Sequence, residues 1–284
     1  MPFKTILVHL DTEADALEIT KSAIAVAKAF SAHLIGMHVM PDAYISAAAP
    51  PEVAGELIEA QRQANQAAGK RISEIFGKAI AGAGVSFEWR LAEAHLETAA
   101  SVVIRHGRMA ELVILGQPDK SINLIDGIAI TEEVMLSVGR PVLIVPAKAS
   151  LATIGTRVLL GWNGSRESAR ATFDAMPFLE GAKSVRILAA GQVAGKLWGS
   201  LAGDAAPTAG IEAALTRQGV HCEVTAATAS ATGVASSLLA LAKEHACDLI
   251  VMGGYGHWRL REIVFGGATR GVLEATTIPV LMSH

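Results

Sequence analysis

Two doubly wound α/β sheets in tandem are the fold class this chain predicts, and three observations predict it. Short apolar runs alternate with helix-periodic segments, the runs are apolar on both faces, and the order of the first half recurs in the second. Strands without a polar face require a parallel sheet covered by helices on each side. Each half is expected to hold a five-stranded sheet of this kind.

In the first half, Lys4 to Leu10 reads as a strand, Ala14 to Phe30 as a helix and His33 to Val39 as a second strand. A Pro- and Ala-rich break from Pro41 to Pro51 precedes a helical stretch to about Ala81. Val85 to Leu91 is a strand, Leu96 to His106 a helix, Glu111 to Gly116 a strand, Ile128 to Val138 a helix and Pro141 to Val145 the last strand. The second half places its strands at Arg157 to Trp162, Ser184 to Ala190, Val220 to Ala226, Asp248 to Gly253 and Pro279 to Met282. Three segments match in order: Gly84-Val85 with Gly219-Val220, Glu111 to Gly116 with Asp248 to Gly253, and Arg140 to Leu143 with Ile278 to Leu281. The domains are therefore 1–147 and 156–284, with a linker between them.

The composition narrows the function. The 284 residues are 51% hydrophobic, yet no apolar run approaches the roughly 20 residues that span a bilayer. Met1-Pro2-Phe3-Lys4 leads straight into a strand, without the apolar stretch of a secretory signal, so a cytoplasmic location is expected. Net charge is −3 with Lys and Arg scattered, which leaves no footprint for nucleic acid or an anionic membrane. Cys222 and Cys247 make neither a disulfide framework nor a zinc spacing and read as buried thiols.

In a doubly wound sheet a ligand sits beyond the carboxyl ends of the strands, where the winding reverses, so chemistry is sought after the first and fourth strand of each half. After the fourth strand of the second half comes Gly253-Gly254-Tyr255-Gly256, and Gly266-Gly267-Ala268-Thr269 then opens a helix. Glycines admit an anion close to the backbone, and a helix N-terminus supplies free N–H groups. Thr269 and Arg259 add candidate phosphate contacts, and His257, Arg261 and Arg270 keep the region positive. A glycine-punctuated turn that merely joins strand to helix has the same spacing, and both readings stay open. His9 and His38, near strand ends, read as satisfied core histidines ahead of a metal pair, and Trp198 as a packed loop aromatic ahead of a lid. No Walker loop, dinucleotide fingerprint, nucleophile elbow or zinc-protease helix is present.

These residues resemble the nucleotide-binding branch of the universal stress protein family, whose hallmark is Gly-x-x-Gly, nine residues, then Gly and a Ser or Thr. Gly253, Gly256 and Gly266 match it, Gly267 departs from it, and Ala268 and Thr269 follow. The resemblance implies an adenine nucleotide alpha hydrolase-like fold with flavodoxin-like layering, twice in the chain. It implies a stress-response protein that binds ATP or another adenine nucleotide, with or without magnesium, in the second half. Asn163 falls at the base- or ribose-facing position and Met252 beside the adenine. It further implies that Pro141 to Val145 and Pro279 to Met282 meet within the chain, and it allows a homodimer of chains. The first half keeps Asp11 at the base-facing position, where it reads as a helix cap, but lacks the second glycine cluster. No catalytic or metal-binding residue stands out. The alternatives are a nucleotide-free interaction module and a slow nucleotide hydrolase.

Overall fold

Ile6, Leu7 and Val8 are consecutive and all fully buried, as are Leu159 and Leu160 at the matching place in the second half. Neighbouring side chains on a strand point to opposite faces, so both faces of the sheet are covered. The computed structural model describes residues 2–43, 51–118, 124–146, 153–189, 192–193, 196–197, 208–225, 233–254 and 267–284. The first half runs β1 (Thr5–His9), α1 (Glu13–Phe30), β2 (His33–Met40), α2 (Pro51–Ile80), β3 (Phe87–Glu93), α3 (Ala99–Gly107), β4 (Leu112–Gly116), α4 (Leu124–Ser137) and β5 (Val142–Val145). The second half runs β6 (Arg157–Trp162), α5 (Arg166–Asp174), α6 (Met176–Gly181), β7 (Ser184–Ala189), the short pair β8 (Gln192–Val193) and β9 (Lys196–Leu197), α7 (Thr208–Arg217), β10 (Cys222–Thr225), α8 (Val234–Glu244), β11 (Leu249–Gly253), α9 (Gly267–Ala275) and β12 (Val280–Ser283).

The helices end where local chemistry stops them. Acidic Glu13 and Asp15 suit the positive start of α1, and Ser31 closes it in a left-handed conformation at φ 52°. Thr98 and Ser165 cap α3 and α5, each side chain accepting the backbone N–H three residues on. Pro177 at the start of α6 separates it from α5.

Each half is a parallel five-stranded sheet, and the two form one sheet in the order β10-β7-β6-β11-β12-β5-β4-β1-β2-β3. The join is antiparallel, with Val280 opposite Ile144, Leu281 opposite Leu143 and Met282 opposite Val142. These are the two strands that the resemblance led us to expect together. The two five-stranded sheets are thereby continuous as one ten-stranded sheet, since neither last strand has a polar face to leave in water. One face is packed by residues of α1, α2, α5, α6 and α7, including a cluster of Phe3, Phe30 and Phe178 that spans the halves, with ring centroids 5.0 to 5.7 Å apart. The other face is packed by α3, α4, α8 and α9.

The likeness of the two halves extends to individual hydrogen bonds. Glu111 accepts the backbone N–H groups of Lys4 and Thr5 at 3.0 and 2.6 Å, and its own N–H donates to the Thr5 carbonyl. Asp248 does the same for Thr156 and Arg157 at 3.1 and 2.7 Å, and its N–H donates to the Arg157 carbonyl. Removing this partly buried carboxylate leaves two strand-start donors to water. Asp248→Ala is expected to lower stability by about 1–2 kcal/mol, read from the urea midpoint with an unchanged slope.

Candidate functional site

The chain leaves β6 toward β7 on one side, while β11 lies on the other, so the winding of the second half reverses between β6 and β11. Gly161 stands opposite Met252 at the carboxyl end of this pair. The first half has the same reversal between β1 and β4. Because β5 and β12 are antiparallel, the two crevices open at opposite edges of the sheet.

Beyond β6 the chain turns sharply through Asn163, Gly164 and Ser165. The Ser165 N–H donates to Asn163 Oδ1 at 3.0 Å, Gly164 adopts φ 72°, and Ser165 Oγ accepts from the Ser168 N–H at 3.1 Å. Asn163 therefore builds the turn with its carbonyl oxygen, and its amide N–H groups are what it can offer a ligand. Glu167, in the first turn of α5, is 7% exposed and receives Arg166 Nε at 3.1 Å. This buried carboxylate beside the end of β11 was missed in the sequence, where nothing marks a single helix-turn glutamate as buried.

Gly253 answers to packing. A Cβ there would lie 2.6 Å from the Glu167 carbonyl carbon and from the Ser168 nitrogen, so α5 crosses the end of β11 in backbone contact. Gly116 also faces the first helix of its half, but there a Cβ would meet only the end of a side chain, Ile19 Cδ1 of α1, at 2.6 Å. Gly254 is closed from the first half, since a Cβ would fall 2.5 Å from Met135 Sδ of α4, and its carbonyl lies 3.1 Å from His284 Nδ1. Met252 is buried at 6% exposure. Gly267 is the first residue of α9, and Ala268 and Thr269 are buried in its first turn. Gly256, Gly266, His257, Arg259, Arg261 and Trp198 lie outside the described residues. Among the described residues no three His, Cys, Asp or Glu side chains gather as a metal site.

The first half differs at the equivalent points. His9 takes the place of Gly161 and is buried, with no hydrogen-bond partner for Nε2 among the described residues. Burial, partly offset by the Asp11 carboxylate and reinforced by His38, holds its pKa down at about 4. His9 is in register with Met37, so His38, one residue further, projects to the opposite face, where its Nδ1 meets the Leu10 carbonyl at 2.7 Å. Parity separates the two rings, and no metal pair forms. Asp11 does not cap α1, whose N-cap is Thr12; Asp11 is exposed one residue earlier. Both cysteines are free thiols, and burial raises their pKa values.

Two outcomes follow from this geometry. Gly253→Ala forces backbone apart and is expected to cost about 1–3 kcal/mol in thermal or urea unfolding, whereas Gly77→Ala, on an open helix surface, is expected to stabilise by up to about 1 kcal/mol. The depressed pKa of His9 gives the second. Above pH 6.5 the ring is neutral folded and unfolded; from 6.5 down to about 4 only the unfolded chain takes the proton, so stability falls through that window by up to about 3 kcal/mol. The difference in unfolding free energy between wild type and His9→Leu should be flat above pH 6.5 and move in favour of the variant below it.

Residues 156–284 match the family model of the universal stress protein family. A universal stress protein from Synechocystis sp. is 49% identical over 39 residues, a stretch that is 14% of this chain and 14% of that protein. Among solved structures, a universal stress protein from Archaeoglobus fulgidus DSM 4304 has a TM-score of 0.65 at 16% identity, covering 97% of this chain and 94% of its own. A protein of unknown function from Pseudomonas aeruginosa PAO1 has a TM-score of 0.55 at 13% identity, covering 98% of this chain and 92% of its own. At these identities the likeness is one of fold, and it extends over both halves. No described helix is long and apolar enough to cross a membrane. The match to the universal stress protein family thus lies in the second half, residues 156–284, and the likeness of fold runs through both halves.

Proposed function

We propose that the chain is a tandem universal stress protein, with domains 1–147 and 156–284, that binds an adenine nucleotide in the second domain and acts in the stress response by binding rather than catalysis. ATP is the leading candidate. The observation that carries this reading is the residue in the β6–β11 crevice that differs from the first domain. Where the first domain has the His9 imidazole the second has Gly161, with Leu238, Met252 and Val251 in ordinary contact distance of the Cβ it lacks, two residues before Asn163, and the glycine segment between Gly253 and Gly267 leads from the same end of the neighbouring strand into α9. Backbone N–H groups of that segment and of the first turn of α9 would meet the phosphates, with Gly256, Gly266, Gly267, Ala268 and Thr269 as their source. Magnesium, where present, would arrive with the nucleotide. The same fold order and the paired Glu111 and Asp248 bonds support reading 1–147 as a second domain of the family with its site filled.

A second reading, a pair of nucleotide-free domains that act through their surface, is favoured by one observation: helix packing alone accounts for Gly253.

Gly267→Asp separates the two. An acidic first residue suits the helix dipole, so the fold should persist, while its charge repels a phosphate. Wild type is expected to release near-stoichiometric adenine nucleotide on denaturation, or to gain about 2.7 kcal/mol of stability at ATP a hundredfold above Kd. The variant should do neither and should match wild type in nucleotide-free stability. A wild type with no bound nucleotide and no shift with ATP and magnesium supports the second reading.

A further inference from the structure

We propose that two copies of this chain pair through β3, edge to edge and antiparallel, about a two-fold axis at Trp89. β3 ends the ten-stranded sheet, and on it Phe87 and Leu91 are each 48% exposed. The Leu34 N–H donates to the Ser86 carbonyl and the Ala94 N–H to the Met40 carbonyl. With Leu34 opposite Phe87 and Met40 opposite Glu93, the even-numbered residues of β3 bond to β2, and Phe87, Trp89 and Leu91 turn their N–H and C=O groups to the open edge. Among the described residues no strand pairs with this edge, and an edge of this kind is a template for another strand.

The charges choose the strand and the register. Three antiparallel registers near the centre satisfy the outward N–H and C=O groups, with the axis at residue 88, 89 or 90. At Glu88 the axis sets two carboxylates against each other, and at Arg90 two guanidinium groups. At Trp89 it sets Glu88 of each copy opposite Arg90 of the other, and Phe87 opposite Leu91. The sequence of β3 is self-complementary in that register, as an isologous contact requires. The pairs of residues 88 and 90 fall at the non-hydrogen-bonded positions, where opposing side chains approach most closely. Glu88 and Arg90 already form an ion pair along the strand, and Arg90 Nη1 rests 3.0 Å from His106 Nδ1, so the guanidinium is held in place before a partner arrives. About six backbone hydrogen bonds would join the copies. Both α2 helices, each of 30 residues, would lie on the same face of the joined sheet, with Leu57 and Ile58, now 46% and 41% exposed, on that side.

Sedimentation of the full chain tests this with charge reversals at partly exposed side chains. Wild type should be a dimer. Glu88→Arg and Arg90→Glu should each weaken dimerisation by about tenfold or more, because the two-fold axis repeats every like-charge pair. The double variant Glu88→Arg/Arg90→Glu should recover it, and an equimolar mix of the two single variants should form a heterodimer, with circular dichroism unchanged throughout. A monomeric wild type, a dimer indifferent to both single reversals, or a mix that fails to associate overturns the proposal.

Discussion

Everything in this molecule hangs on the antiparallel ladder between β5 and β12. Val142, Leu143, Ile144 and Val145 on one side and Val280, Leu281 and Met282 on the other are fully buried. Apart, each half would end in a bare strand, apolar on both faces and unpaired along one edge. Together they continue one sheet, and contacts on either side of the seam reinforce it: the Phe3, Phe30 and Phe178 rings on one face, and Gln117, which donates to the Leu273 carbonyl of α9 at 2.6 Å. The same ladder decides the geometry of function. It turns the halves head to tail, so their crevices face opposite edges and no single ligand can bridge them.

Within that frame the halves share scaffolding and differ in chemistry. A carboxylate at the start of the fourth strand staples the first strand in both, and a glycine at the end of the fourth strand faces the first helix in both. At the equivalent position near the end of the first strand, one half carries an imidazole, His9, and the other a hydrogen atom, Gly161. His9 is a buried ring with Nε2 unpartnered among the described residues, a situation that costs roughly 1–3 kcal/mol. At Gly161 there is no ring to bury, and a Cβ there would sit in ordinary contact with Leu238 and Met252, at 3.4 and 3.5 Å.

Much of this was legible in the residues. Apolar runs such as Leu112 to Leu115 gave their strands away, and the strands of the matched segments occupy equivalent positions in the sheet. Three things were not legible. Which of Asp11 and Thr12 caps α1 depends on one step of backbone conformation, and either residue type suits the position. Whether His9 and His38 meet depends on the register of β1 against β2, and a one-residue offset puts them on opposite faces. The glycine at 253 looks the same whether a phosphate or a helix backbone comes close; only the 2.6 Å approach of α5 shows the helix. Two features carried signals that could have been used: Pro177 marks the break between α5 and α6, and the palindromic charges of Glu88 and Arg90 flank a tryptophan on an edge strand.

The asymmetry between the two crevices is the central claim, and amide hydrogen exchange with and without ATP reads both at once. ATP is expected to slow exchange in residues 161–168 and 252–254 and in the first turn of α9, while residues 9–16 and 114–118 of the first half keep their rates. Equal slowing in both halves, or none in either, would contradict it.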